Sequence, residues 1–370
     1  MEKIRLTIIR QLPDPAPPVR HEIAGSYVAR LARIHGMDFH TLWDQISQPI
    51  DPRSKVRRLV PEQLATLTGR SVHQLAGALP ELRTTAPDWR AFRHEPQPAC
   101  HLCTARHAGG PALVLLPHHR YVCVRHKLWI GPPDVDHLTT SLTHLPEVVH
   151  AQRRHLRILQ RAGWAITYDA VLTAILICAQ LWTWHSEDLP GAWHEWVRRA
   201  NVLIPPGTSP TAFSASRLCA AVYPEAVLLA SRFASSHWRL SAQGTRFDRD
   251  MFDAEMGRIL SCPPYTRDRV DDPISHWADV NSRRPPVTPI RLFTDRKPTR
   301  TPHIYRPHLH VATRRAVERQ ALEFDPTKRA GASLERHRHL ASVYRRAWYP
   351  IRISTRDPHP HYVPHLNRYP

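Results

Sequence analysis

Residues 100–126 read CHLCTARHAGGPALVLLPHHRYVCVRH, so that Cys100-x2-Cys103 is followed, after nineteen residues, by Cys123-x2-His126. A tetrahedral Zn2+ takes four soft or borderline ligands, and each such turn supplies two of them. Between the two turns Ala112 to Leu116 are apolar, and Tyr121-Val122 lead into the second, as a short hairpin requires. A loop-rich segment of this size rarely folds without a staple. Structural zinc contributes on the order of 10 kcal/mol of folding free energy. The spacing therefore predicts one structural Zn2+ held by Cys100, Cys103, Cys123 and His126. With four protein ligands the site is closed, leaving no open position for a catalytic water. His101, His107, His118 and His119 stand nearby, so the sequence fixes the fourth ligand less firmly than the three cysteines. Cys178 and Cys219 lie in apolar helical runs and read as core. Six cysteines in 370 residues make no disulfide framework, and in a reducing compartment cysteine pairs favour metal.

Upstream, Pro13, Pro15, Pro17 and Pro18 predict an extended lead-in. Ile23, Tyr27, Leu31 and Ile34 then recur at helical spacing and Gly36 stops the run. Asp38 caps a second helix carrying Phe39, Leu42, Trp43 and Ile46. Pro49 and Pro52 close the pair. A second pair comes next, with Pro61 at a first helical position, Leu64 and Leu67 inward, Gly69 as stop, and Ser71 capping Val72, Leu75 and Leu79. At an offset of 33 residues Leu31 meets Leu64, Ala32 meets Ala65, Gly36 meets Gly69, Asp38 meets Ser71 and Leu42 meets Leu75. The shared Ala-x3-Gly-x5-Leu is the spacing of helix-turn-helix units. Plain helical hairpins give it too.

Downstream, helical patterns cover 145–162, 168–185, 191–203, 211–240 with a break near Pro224 left open, and 247–261, and their tryptophans read as core. From Arg283 to Pro370 there are 19 Arg or Lys against 6 Asp or Glu, 19 − 6 = +13, with frequent proline and eight histidines. The expected architecture is mostly α. Tandem helix-turn-helix-like units occupy 1–86 and a small zinc-knuckle module 87–135. A helical middle domain covers 136–262, and a basic Pro/Arg/His-rich C-terminal region with short helices 263–370.

The formal net charge of +19 points to an anionic partner, most often nucleic acid. Only five of the 51 basic residues are lysine. Arginine grips phosphate bidentately, although a GC-rich genome gives the same Arg-to-Lys ratio. Candidate phosphate contacts are Arg53, Lys55, Arg57 and Arg58 between the helical pairs, and Arg70, His73 and Gln74 at the second pair. Arg314, Arg315, Arg345 and Arg346 in the tail join them. Residues 1–20 lack a signal-peptide pattern. The run from Ala170 to Trp184 is too short to span a bilayer and contains Gln180. The expected setting is cytoplasmic, without membrane, and a homodimer is left open.

The order of features resembles the TniQ/TnsD family of transposon target-selection proteins. That family's opening Gly-Glu-Ser, Ser-Trp, Arg and Ala find Glu22, Ser26-Tyr27, Arg30 and Ala32 here, ending at His35-Gly36. Leu67-Thr68-Gly69 and then the two knuckles come in the family's order, with Leu128 just after. His21, Ile23, Tyr27 and Lys127 depart from the family's Gly, Ser, Trp and Gly. The resemblance covers roughly residues 13–130. It implies a DNA-binding or adaptor protein that recruits an AAA+ ATPase to target DNA or to an RNA-guided complex.

An enzyme is not expected. There is no Gly-rich phosphate loop and no Gly-x-Ser-x-Gly elbow. Asp250, Asp253, Asp271, Asp272 and Asp279 lie in capping or loop contexts among arginines rather than forming a nuclease centre. A stand-alone zinc-containing DNA-binding regulator and a protein-interaction scaffold are the alternatives.

Overall fold

The computed structural model describes residues 10–49, 57–83, 97–131, 140–182, 191–203, 215–263, 265 and 272–281. The chain is mostly helical and gathers into two compact units that divide between Pro117 and His118.

In the first unit, helix α1 (Ala24–Ile34) buries Tyr27, Val28 and Leu31 completely. Its N-cap residue, Ile23, has no capping side chain. The Ala24 N–H donates instead to the Glu81 carboxylate, supplied from the far end of the helical pairs. Burial pushes the Glu81 carboxyl up to about 8, against the pull of that N–H. Gly36, at φ +60°, turns the chain. Asp38 accepts from Thr41 N and starts α2 (Phe39–Ile46). The same grammar recurs 33 residues on. Helix α3 (Pro61–Thr68) opens on its proline and ends at Gly69, at φ +64°. Ser71 and Gln74 then form a capping box at α4 (Val72–Ala78). Leu31, Leu42, Leu64 and Leu75 are all fully buried in one core with Trp43, Ile46 and Leu79. The repeated leucines therefore share one interior.

Strands β1 (Ser47–Pro49) and β2 (Arg57–Leu59) pair antiparallel between the two helical pairs, where the sequence predicts no strand. Arg57 anchors this ribbon. It ion-pairs with Asp44 at 3.1 Å, and it donates to the Ser47 hydroxyl and to the carbonyls of Asp44 and Ser47.

The remainder of the first unit comprises β3 (Gln97–Pro98), a single helical turn α5 (His101–Thr104) and β4 (Leu113–Val114), with β3 and β4 antiparallel. It is tied to the start of α1. Ile23 N donates to Leu113 O, Leu115 N to His21 O, and Leu113 N to the Ser26 hydroxyl. At the centre of this junction sits a fully buried ion pair, Glu22 with Arg30, at 2.8 Å. The Glu22 carboxylate accepts two bonds from the Arg30 guanidinium, one from the Ser26 hydroxyl and one from Val19 N. Arg30 also donates to the carbonyls of Ala108 and Pro17. Ser26 and Arg30, four apart on α1, share one face and both reach Glu22, which lies just ahead of the helix. The loop beside them must come close. A Cβ on Gly109 would lie 2.7 Å from the Arg30 carbonyl oxygen, and its φ is +88°.

In the second unit, β5 (Val122–Cys123), β6 (Leu128–Trp129) and β7 (Thr140–Ser141) form a small antiparallel sheet. Beyond it come α6 (Pro146–Leu181), α7 (Ala192–Leu203), α8 (Ala215–Phe233), α9 (Ser236–Ser241), α10 (Arg246–Leu260) and α11 (Pro273–Asn281). Gly163, at φ 76° and ψ 167°, breaks α6 between the two helices expected there. Helix α8 runs straight through Pro224. Leu218, Ala221, Val222, Ala226 and Leu229 around that proline are buried to 0–1 % exposure. That packing outweighs the one helical hydrogen bond proline forfeits. The break comes later, at Ala234–Ser235. Helix α11 falls in the stretch after residue 262, where the sequence predicts short helices but none at this place. Asp272 caps it, accepting from Ile274 N and Ser275 N. Trp277 then stacks on Phe233 at 4.1 Å between ring centroids. Among the described residues the packed helices reach Asn281. Among the described residues, no helix is long and apolar enough to cross a membrane.

Candidate metal centre

The first knuckle is the turn that α5 closes. Cys103 N and Thr104 N both donate to the Cys100 carbonyl, at 2.9 and 3.1 Å, and fold the two cysteines back on each other. The second knuckle is the β5–β6 hairpin, where Cys123 pairs with Leu128 and Val124–Lys127 make the turn. The Gln152 side chain on α6 holds the strand entering it. Its carbonyl oxygen accepts from both Tyr121 N and Val122 N at 2.9 Å, and its amide donates to His119 O. Tyr121, Trp129, His155 and Tyr223 pack their rings together behind the hairpin. His155 and the Tyr223 hydroxyl hydrogen-bond at 2.8 Å.

The ligand atoms of Cys100, Cys103, Cys123 and His126 all lie within 4.8 Å of one another. Cys123 Sγ and His126 Nδ1 are 3.6 Å apart. Bonds of about 2.3 Å to sulfur and 2.0–2.1 Å to nitrogen, at the tetrahedral angle, give an edge of about 3.6 Å. The separation and the donor set therefore fit a four-coordinate metal ion. No disulfide joins any two of the six cysteines. Burial pushes the thiol of Cys219 up to about 12 and that of Cys178 well up. Both are core residues. Among the described residues, no carboxylate group comparable to this cluster gathers elsewhere. Asp272 in particular is spent on its helix cap.

Two departures from the family pattern gain a physical meaning here. His21 and Lys127, which stand where that pattern carries glycine, both have left-handed backbones, with φ of 65° and 51°. Glycine adopts that conformation without steric cost, whereas another residue loses about 1–2 kcal/mol. Lys127→Gly is accordingly expected to raise the unfolding free energy of the metal-loaded protein by up to about 1 kcal/mol, the gain being trimmed by glycine's looser unfolded chain. Denaturant titration checks it. A loss of stability would show that the lysine side chain outweighs the strained backbone.

The structure disposes the expected phosphate contacts unevenly. His73 is exposed on α4. Gln74 is engaged in its capping box and Arg57 in the ribbon. Arg70 is half-buried and donates to Pro15 O. Arg53, Lys55, Arg314, Arg315, Arg345 and Arg346 lie outside the described residues, as does the side chain of Arg58. Sequence reasoning missed Gln152 and the structural roles of Glu22 and Arg30. Gln152 reaches a strand some thirty residues away, and nothing in the spacing of Glu22 and Arg30 signals that they pair in the interior.

Residues 15–129 match the TniQ family, a stretch that spans both helical pairs and all four ligands. That family consists of adaptor and DNA-binding factors rather than enzymes. No curated protein and no solved structure matches the chain significantly.

Proposed function

From a chain that is TniQ-like over residues 15–129, we propose a target-selection adaptor of a transposition system. It holds DNA, or an RNA-guided complex on DNA, and recruits the transposon's AAA+ ATPase. The observation that carries this reading is the family match over a stretch containing the complete Cys3His ligand set. In this reading one Zn2+ occupies that set as a structural ion, locking two knuckles and leaving no coordination position for chemistry. Three thiolates outweigh the charge of the ion, and the exposed Arg125 and Lys127 beside the second knuckle offset the remainder. The paired helices act as helix-turn-helix-like units, and the net charge of +19 supplies phosphate affinity.

The deciding experiment is selection from a random duplex pool, with affinity measured across salt. A recovered motif means the helices read bases. Salt-sensitive binding without a motif means an adaptor whose address comes from a partner. Absence of any binding at moderate salt overturns the nucleic-acid reading and leaves a protein-interaction scaffold. Adjoining integrase and ATPase genes are expected, and their absence favours a stand-alone regulator. Removing residues 283–370 is expected to weaken duplex binding and flatten its salt dependence, because fewer counterions are released. An unchanged salt slope after truncation would clear the tail of that role.

A further inference from the structure

The first segment of α6, before the break at Gly163, has two contrasting faces. Val148, Val149, Ala151, Gln152, His155 and Ile158 are buried. His150, Arg153, Arg154, Arg157 and Arg161 are exposed. Their spacings of three and four residues put them on one stripe. The one acidic residue between Pro146 and Ala162 is Glu147, and it is engaged by Arg198 and Arg199. None of the four stripe arginines pairs with a carboxylate among the described residues.

An ordinary solvated helix face interleaves the two signs of charge. Here Arg153 faces Arg157 and Arg157 faces Arg161 at i,i+4, an arrangement that opposes helix formation. The C-terminal end of the segment favours cations at Arg157 and Arg161, but that does not account for Arg153 and Arg154. A single-sign stripe becomes favourable when an extended polyanion lies along it. From His150 to Arg161 the helix rises about 16 Å, the axial length of about five phosphates on one strand of a duplex. Arginine's planar fork suits phosphate oxygens. Arginine also reads guanine edges in the major groove, so a backbone contact is distinguished by its salt slope rather than by residue type.

We propose that the arginine stripe of α6, Arg153, Arg154, Arg157 and Arg161, is a binding surface for the sugar–phosphate backbone of duplex DNA. It rests on the nucleic-acid reading above and gives that reading a place on the molecule. The test uses the full, metal-loaded chain and a labelled mixed-sequence duplex, with affinity measured by anisotropy from about 50 to 200 mM salt. Changing all four arginines to glutamine is expected to flatten the slope of log K against log salt by roughly 3.6, at about 0.9 for each of four contacts. Over that fourfold range the unchanged protein then loses about a hundredfold more affinity than the variant. Changing all four to lysine preserves the charge and is expected to keep the slope. If the glutamine variant does not fold, Arg157→Glu alone replaces it, and weaker binding with a flatter slope is expected. Duplex binding by the unchanged protein with an identical slope in the glutamine variant overturns the surface and leaves the nucleic-acid reading standing. No duplex binding by the unchanged protein overturns both. Binding of polyglutamate in preference to duplex reassigns the stripe to an acidic protein and overturns the proposal.

Discussion

Cys123→Ser is expected to abolish stoichiometric metal binding and to unfold the stretch around the knuckles. A structural zinc site contributes on the order of 10 kcal/mol, more than the whole stability of many domains. Serine keeps the shape of cysteine but offers no thiolate, and three remaining ligands cannot close the tetrahedron. Elemental analysis of the purified protein reads the metal, and limited proteolysis across residues 97–131 reads the unfolding. Cys100→Ser should behave alike, since Cys100 is only 5 % exposed and its carbonyl organises the first turn. Cys178→Ser is the contrasting control. It alters a buried core thiol outside the cluster and should leave metal content unchanged. An unaltered protein that is metal-free and fully folded would remove the ion from the account altogether.

Arg30→Met is expected to cost about 3–5 kcal/mol, because it strands the Glu22 carboxylate in the interior. Both members of this pair have 0 % side-chain exposure. The loss also frees the carbonyls of Ala108 and Pro17, to which Arg30 donates. Removing both charges, as Glu22→Gln with Arg30→Met, should cost less than the sum of the single changes, since neither partner is then left charged and alone. Denaturant unfolding of the metal-loaded protein reads all three variants. A loss below about 1 kcal/mol for Arg30→Met would mean that water reaches the carboxylate. With both charges buried and paired with each other, Glu22 and Arg30 serve the fold rather than contact with a partner.

The helical pairs were legible because helix starts and stops are written locally: Asp38, Ser71, Gly36 and Gly69 each act within a few residues. The ligand set was legible because its two turns carry their own spacing. The ribbon at Ser47–Leu59 was not, since its strands are three residues long and depend on one arginine reaching back to Asp44 and Ser47. Glu22 and Arg30 resist sequence reading for another reason. Charged residues in a helical pattern read as surface, and only the fold shows that they satisfy each other inside. Helix α11 was hidden by composition, because proline and arginine around it mask a short segment whose Ile274, Trp277 and Ala278 fill the core. The arginines of α6 were visible at their spacing, but which side of that helix faces water became known only once Val148, Gln152 and Ile158 were seen packed.

The junction at Glu22 bears on how such a protein is inherited. The paired helices look like a cassette that could be copied from one gene into another, ending near residue 86. Their opening helix, however, takes its hydrogen-bond partners from Ala108 and Leu113 as well as from its own lead-in. A recombination event that moved the pairs alone would deliver a first helix with a buried guanidinium missing one of its acceptors. Exchange between genes is therefore expected to carry a stability cost unless the breakpoint lies beyond His126, where both this junction and the Cys3His cluster stay whole.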